Sequence, residues 1–277
     1  MQYSELINKI KDLKNKVDFK LIGKSLFGEE IYVFHVGEYS EKQIFLSGGI
    51  HAREYISSLF LIKEIEYLSN RDLSGGIYIL PLINPDGVRL VLESTDFIAD
   101  EKLRRFLIDV NGSENFSLWK ANGNAVDLNV NFDAKWGEGK SNRRRLGREN
   151  FIGYYPNSEI ENINVINFLK ETKIDLNIAF HSKGEVIYYG FEKSKEQLKK
   201  EEKIVKFISS LNGYLPIKSV NSTGGLSDYI ALKYDIPSMT IELGSDLLNH
   251  PITERYLDYI FQTNKDVPIE VLKLISN

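Results

Sequence analysis

The sequence predicts an α/β fold, with a mixed, mostly parallel, twisted β-sheet in a single domain and helices on both faces of the sheet. Segments with helical spacing alternate with strand-like segments along the 277 residues, and no internal repeat interrupts them. Several short runs, such as 76–81 and 175–180, are apolar on both faces, which is typical of strands inside a covered sheet. Hydrophobic residues make up 42% of the chain, enough for one large domain.

The first half of the chain is expected to begin with a helix over 2–16, where apolar residues recur at helical spacing. Strands at 20–25 and 31–36 face each other across a turn and predict a hairpin. The elements expected next are a strand at 43–46, a helix over 55–69, a strand over 76–81, a turn at 84–87 and a helix over 102–110.

Residues 119–155 show little periodicity and are expected to form long loops, which in compact domains are usually functional. Regular elements are then predicted as a helix over 158–173, strands at 175–180 and 185–189, a helix over 194–212, a shorter helix opening at 225–228, a strand over 238–243 and a closing helix over 251–275. We expect one catalytic domain over 1–277, with an N-terminal helix at 1–17 and the core at 18–277.

The composition argues against several classes of protein. A net charge of −4 gives no electrostatic case for binding nucleic acid. No apolar run reaches the roughly 18 residues of a membrane span, and the N-terminus lacks the features of a signal peptide, so we expect a cytoplasmic protein. The chain has no cysteine, so a zinc ion would need histidine and carboxylate ligands. The four histidines are His35, His51, His181 and His250, and we expect His35 to be structural and His250 to cap the closing helix.

His51 and Glu54 lie where a predicted strand ends and a helix begins. Side chains three positions apart on a helical turn share a face, so both can reach one metal ion. His181 and Glu242 each end a buried strand, and such strand ends gather at one edge of the sheet. Taken singly, His181 could be a core histidine and Glu242 could pair with a buried arginine. Together, His51, Glu54 and His181 form a His₂Glu zinc set, which leaves Glu242 as a general base.

Seven short motifs occur along the chain in one order. They are His51-Ala52-Arg53-Glu54, Asn84-Pro85-Asp86-Gly87, Trp119-Lys120, Asp127-Leu128-Asn129-Val130-Asn131-Phe132, Phe180-His181-Ser182, Gly224-Gly225-Leu226-Ser227-Asp228 and Thr240-Ile241-Glu242-Leu243. This ordered set resembles the zinc carboxypeptidase family of the carboxypeptidase A type, over about residues 18–260. The resemblance implies the fold of that family, one Zn²⁺ ion per chain and a small peptide substrate.

The resemblance also implies a role for each matching position. His51, Glu54 and His181 look like the zinc ligands, and Glu242 looks like the general base. Arg53 is similar to the basic residue that the family places beside the metal, near the scissile carbonyl. Asp127 looks like the carboxylate that orients a ligand histidine. Asn129 looks like the residue that contacts the substrate carboxylate. Three further positions look like walls of the pocket: Gly225, Ser227 and Thr240.

Three positions depart from the family pattern. Val130 stands where an arginine usually clamps a terminal carboxylate. Lys120 stands where arginine is usual, and it would stabilise the developing oxyanion as a point charge. Val220 occupies the place of the expected capping tyrosine, for which Tyr188, Tyr189 or Tyr229 could substitute.

These departures favour the branch of the family that resembles γ-D-glutamyl-L-diamino-acid endopeptidases, which lacks the clamp and carries a run like Trp119-Lys120-Ala121-Asn122. We therefore expect zinc-dependent hydrolysis of an amide bond in small, anionic, muropeptide-like peptides. The basic run Arg143-Arg144-Arg145, with Arg148, is the predicted source of a new clamp, although it could also be a solvated loop.

Three alternatives use the same residues. The chain could be a carboxypeptidase that trims peptide C-termini, or a zinc deacylase or amidase of N-acyl amino acids. It could also be an inactive module that only binds cell-wall peptides. The complete set of predicted ligands and base argues against the last alternative, and the motifs are compatible with any oligomeric state.

Overall fold

A mixed eight-stranded sheet runs through the centre of the molecule in this computed structural model, which describes residues 1–276. The strands are β1 (Asp18–Lys24), β2 (Glu30–Gly37), β3 (Gln43–Ser47), β4 (Gly76–Leu80), β5 (Leu176–His181), β6 (Val186–Tyr189), β7 (Leu215–Lys218) and β8 (Ser238–Glu242). Their order across the sheet is β1-β2-β4-β3-β5-β8-β6-β7. The four neighbours β4, β3, β5 and β8 are parallel, as are β6 and β7, which confirms the predicted mixed, mostly parallel sheet.

The helices cover both faces of the sheet. They are α1 (Tyr3–Leu13), α2 (Ile56–Leu68), α3 (Pro85–Glu93), α4 (Glu101–Asn111), α5 (Ile160–Glu171), α6 (Lys195–Asn212), α7 (Leu226–Tyr234), α8 (Leu257–Asn264) and α9 (Val267–Ser276). Side chains alternate along β2, so Ile31 and Val33 belong to the apolar cluster that includes residues of α5 and α7, whereas Phe34 belongs to the cluster that includes residues of α1 and α2. Among residues 1–276, no helix combines the length and apolarity needed to cross a membrane.

The segment after β4 corrects one prediction, because residues 84–87 start a helix and do not form a free turn. The side chain of Asn84 accepts a hydrogen bond from the backbone N–H of Gly87 at 3.0 Å, and Pro85 occupies the first turn of α3. An asparagine cap followed by proline is a helix-start signal as well as a turn signal. Asn84 is fully buried, and its amide group donates to the carbonyl oxygens of Ile50 and Ala121, which ties α3 to the segment before α2.

The C-terminal segment corrects a second prediction, because the single closing helix over 251–275 is two helices, α8 and α9. Pro268 lies in the first turn of α9, where its missing N–H costs nothing, whereas in the middle of a longer helix it would remove a hydrogen bond. Since α8 begins at Leu257, His250 lies too far upstream to cap it. The sequence also gave no sign of β7, a short edge strand that contains Pro216.

The predicted long loops between α4 and α5 are confirmed, with one short 3₁₀ turn at Leu128–Val130. Buried amide side chains replace regular structure in holding them. Asn122 accepts hydrogen bonds from the backbone N–H groups of Asn124 and Val126, and Asn131 donates to the carbonyl oxygen of Ile152. These contacts hold the loops over the carboxyl ends of the central strands, which is where the candidate site lies.

Candidate active site

Three neighbouring strands of the sheet deliver the polar side chains of the site. β5 ends at His181 and β8 at Glu242, and these two residues are direct partners across the parallel pair. β3 ends at Ser47 and is followed by a sharp turn that leads to His51. Gly49 makes this turn with φ +60°, and a Cβ there would lie 2.3 Å from the hydroxyl oxygen of Ser58, so only glycine fits.

His51, Glu54 and His181 form a buried cluster whose polar atoms converge. Nδ1 of His51 lies 3.0 Å from Oε1 of Glu54, and Nδ1 of His181 lies 3.1 Å from Oε2 of the same carboxylate. The two Nδ1 atoms are 3.0 Å apart. Four-coordinate zinc with bonds of about 2.0–2.1 Å holds its nitrogen ligands only slightly further apart. Two imidazoles and one carboxylate therefore fit a single Zn²⁺ ion with small shifts.

Asp127 supports His51 from behind. Its Oδ1 lies 3.4 Å from Nε2 of His51, and its carboxylate accepts the backbone N–H groups of Asn129 and Asn150 at 3.1 and 3.0 Å. Burial opposes the charged form of Asp127, but Lys120, 3.3 Å away, and His51 outweigh it and hold the pKa of the carboxyl below its ordinary value. This arrangement turns Nδ1 of His51 toward the metal cluster and suits the predicted orienting role.

The two carboxylates beside the histidines differ in their charge state. Burial alone would raise the pKa of Glu54, but His51 and His181 overcome it and hold that pKa well below its ordinary value. Burial raises the pKa of Glu242 to about 7, because the opposing effect of His181 is too weak to offset it and the Glu54 carboxylate raises it further. Glu54 is thus a fixed anion suited to a metal, whereas Glu242 can gain and lose a proton near neutral pH.

A cavity of about 550 Å³ opens from this cluster. Its walls contain the predicted substrate contact Asn129 and the predicted wall residues Gly225, Ser227 and Thr240. The hydroxyl groups of Ser227 and Thr240 lie 3.1 Å apart, and the side-chain oxygen of Asn129 accepts the backbone N–H of Leu226 at 3.0 Å. His51, His181, Glu242 and Lys120 line the same cavity, so it joins the predicted zinc ligands and base to the predicted substrate contacts.

The zinc carboxypeptidase family model matches residues 3–247. The chain belongs to the zinc carboxypeptidase family. It is therefore a zinc-dependent hydrolase, and the His51, Glu54 and His181 cluster is the group in residues 1–276 that could hold the ion.

This zinc carboxypeptidase is similar to one protein by sequence and to two solved structures by fold. The γ-D-glutamyl-L-diamino acid endopeptidase 1 of Lysinibacillus sphaericus is 35% identical over 280 residues, covering 94% of this chain and 69% of that protein. Bovine thrombin-activatable fibrinolysis inhibitor, in complex with a tick carboxypeptidase inhibitor, superposes with a TM-score of 0.75 at 20% identity, covering 99% of this chain and 95% of that one. A murein-tripeptide amidase from Escherichia coli O157 gives 0.59 at 20% identity, covering 92% and 91%. Both structures share the fold.

Some predicted site residues of this zinc carboxypeptidase lie away from the cavity. Arg143 and Arg144 are exposed and do not line it within residues 1–276, and the guanidinium of Arg144 lies 5.2 Å from the ring centre of Trp136. Arg53 also lies outside the lining, where its Nη1 donates to Oε2 of Glu149 at 3.2 Å. Substrate binding by Arg143 and Arg144 stays a prediction that this geometry does not favour.

Sequence reasoning missed two cations in the cavity wall, Lys140 and Lys218. Lys140 lies in the long loop that was predicted to be functional, but no motif marks it. Lys218 ends the unpredicted strand β7. Tyr188 also lines the cavity, together with Val220, which makes it the best placed of the three tyrosines considered as a replacement for the capping residue.

Proposed function

We propose that this chain hydrolyses the amide bond between a γ-D-glutamyl residue and a diamino acid in small, anionic cell-wall peptides. The observation that carries the proposal is the cavity, which starts at a complete His₂Glu cluster with a free carboxyl. Val130 lines this cavity at the position where the family usually has an arginine that binds the substrate carboxylate. Positive charge comes instead from the lysines that line other parts of the wall. The 35% identity to a γ-D-glutamyl-L-diamino acid endopeptidase supports the same substrate class.

We assign the zinc ion to His51, Glu54 and His181. When bound, zinc polarises the scissile carbonyl and makes a coordinated water a better nucleophile near neutral pH. The low pKa of Glu54 keeps its carboxylate available for the metal, and Asp127 holds the imidazole of His51 in place. Burial of all three side chains, each less than a tenth exposed, keeps bulk water away from the cluster.

Glu242 moves the proton in this mechanism. Its carboxylate takes a proton from the attacking water as the new C–O bond forms at the carbonyl carbon. It then gives that proton to the leaving amine as the C–N bond breaks. A base with a pKa of about 7 is suited to both steps at neutral pH, because neither protonation state dominates.

Lys120 stabilises the negative charge that develops on the carbonyl oxygen. It lines the cavity at the same end as His51 and Glu242, and its position is fixed by Asp127 at 3.3 Å. A positioned cation in a poorly solvated site stabilises a transition state without reorganising during the reaction. Arg53 is less suited to this role, because its guanidinium donates to Glu149 and lies outside the cavity lining.

A substrate panel tests the proposal. The zinc-loaded protein is given γ-D-Glu-meso-diaminopimelate peptides, hippuryl dipeptides and N-acyl amino acids, and kcat/KM is measured for each. We expect the γ-D-glutamyl peptides to be preferred by about 100-fold or more, as is common when a site is built for a substrate's polar groups. Faster cleavage of hippuryl dipeptides would identify a carboxypeptidase instead. Binding of the γ-D-glutamyl peptide without cleavage would identify an inactive binding module.

A further inference from the structure

We propose that Lys140 and Lys218 bind a carboxylate of the diamino acid on the leaving-group side of the bond that is cut. This inference rests on the proposed function and names the residues that select its substrate. It assigns the missing carboxylate clamp to Lys140, on a loop, and Lys218, at the end of β7, and no longer to Arg143 and Arg144.

The two lysines line one cavity, together with Glu242 and Thr240. Lys218 is the last residue of β7, and the loop that follows it contains Asn221. The backbone N–H of Lys140 donates to the carbonyl oxygen of Asn221 at 3.0 Å, which ties the two loops together. The lysines therefore belong to one connected wall.

The lysines of the cavity differ in how far a neighbouring carboxylate compensates their positive charge. Lys120 lies 3.3 Å from Asp127, which is fully buried, so its charge is largely compensated. Lys218 lies 3.0 Å from Glu202, but its side chain is 55% exposed, and exposed ion pairs are weak and easily exchanged. Lys140 is exposed and has no ion-pair partner within residues 1–276. The wall formed by Lys140 and Lys218 is thus the part of the cavity whose positive charge is least compensated.

The acidic side chain of Asp228, which also lines the cavity, does not fully cancel this charge. Burial raises the pKa of Asp228 to about 7, so its carboxyl is only partly ionised at neutral pH. The wall also contains Asn142, whose amide nitrogen is enclosed and finds no acceptor within residues 1–276. Such a wall suits an anionic ligand better than a cationic or apolar one.

Val130 explains why another source of charge is needed. It lines the cavity beside Asn129, and its side chain offers no hydrogen-bond donor. The oxygen of Asn129 is occupied by the backbone N–H of Leu226, which leaves only the amide nitrogen for a substrate. One neutral donor is a weak partner for a carboxylate, whereas an ammonium group adds charge to the hydrogen bond.

Lysine-to-methionine variants test the inference, because methionine keeps the unbranched chain up to Cε and removes the charged ammonium group. Lys140→Met and Lys218→Met should each raise KM for γ-D-Glu-meso-diaminopimelate about tenfold while kcat stays within about twofold, as expected for loss of one charge-assisted hydrogen bond. Lys9→Met is the matched control for the unpaired Lys140, and Lys20→Met, whose ion pair with Glu171 is also exposed, is the control for Lys218. Both controls should leave KM unchanged.

Two further substrates identify the carboxylate that is bound. Replacing diaminopimelate by lysine removes the side-chain carboxylate, and amidation removes the charge of the α-carboxylate. The effect of Lys140→Met should disappear on the substrate that lacks the bound group and persist on the other. If the effect is the same size on all three substrates, the lysine does not contact a carboxylate and the inference is wrong.

A binding measurement separates this inference from the proposed function. Free meso-diaminopimelate is titrated into the zinc-loaded protein by calorimetry, which requires no hydrolysis. We expect binding that the Lys140→Met/Lys218→Met double variant weakens about tenfold or more. Absence of binding to the unaltered protein, or weakening by Arg143→Met and Arg144→Met in place of the lysine variants, overturns the inference. In the latter case the proposed function stands if γ-D-glutamyl peptides are still cleaved.

Discussion

Two parts of the cavity are built in different ways. At the metal end, the side chains of His51, Glu54 and His181 are 8%, 6% and 4% exposed, and each contacts the others directly. At the lysine wall, Lys140 and Lys218 are exposed and stand on a loop and on a short edge strand. The predicted zinc ligands and base are thus placed by the centre of the sheet, whereas the lysine wall belongs to segments that can vary without disturbing the sheet.

The largest effect should come from the base at the metal end. Glu242→Gln keeps the size of the side chain but removes its ability to take a proton, so kcat should fall by about 10²–10⁴-fold. Zinc content, measured by atomic emission, should stay at one ion per chain. Glu171→Gln, at an exposed carboxylate, is the control. Full activity of Glu242→Gln with zinc bound would show that another group carries the proton.

A matched pair of leucines tests how much packing beside Glu242 contributes to the stability of the metal end. Leu243 follows Glu242 and is 0% exposed, whereas Leu247, four residues later, is 94% exposed. Leu243→Ala should lower the free energy of unfolding by about 2–5 kcal/mol because it leaves a cavity. Leu247→Ala should change it by less than about 0.5 kcal/mol. Urea unfolding at saturating zinc measures both, and similar losses would contradict the contrast.

The smallest of these effects should come from the support behind His51. Asp127→Asn keeps the shape of the side chain but removes the negative charge beside Nε2 of His51. Loss of such an orienting group typically weakens metal affinity about 10–100-fold. Competition with a zinc-binding dye measures the affinity, and Asp133→Asn, at an exposed aspartate of the same loop, is the control. An unchanged affinity would mean that the sheet alone positions His51.

Residues at strand ends were predictable from the sequence because strand position and polarity coincide there. His181 and Glu242 each follow an apolar run, and the rule that ligands bind at the carboxyl ends of strands brings them together. The start of α3 was harder, since Asn84 and Pro85 can begin either a turn or a helix. Contacts of Asn84 with Ile50 and Ala121 belong to the folded chain and decide between the two.

The lysine wall, which contains Lys140 and Lys218, was not predictable in the same way. Arg143 and Arg144 formed the most conspicuous basic run, yet Arg144 lies over Trp136 and the cavity is lined by Lys140 instead. A loop residue can face either way, and its direction depends on contacts such as the one between Lys140 and Asn221. No local pattern encodes that contact, because its two partners are far apart in the chain.

By itself, the sequence determined the α/β class, the family and the set of side chains that could hold zinc. It could do so because apolar periodicity sets the strands, and the strands set where their polar ends meet. Only the tertiary structure decided which charges face the cavity. Loops carry no periodicity, so the direction of Lys140, Lys218 and Arg144 follows from long-range packing that emerges once the chain has folded.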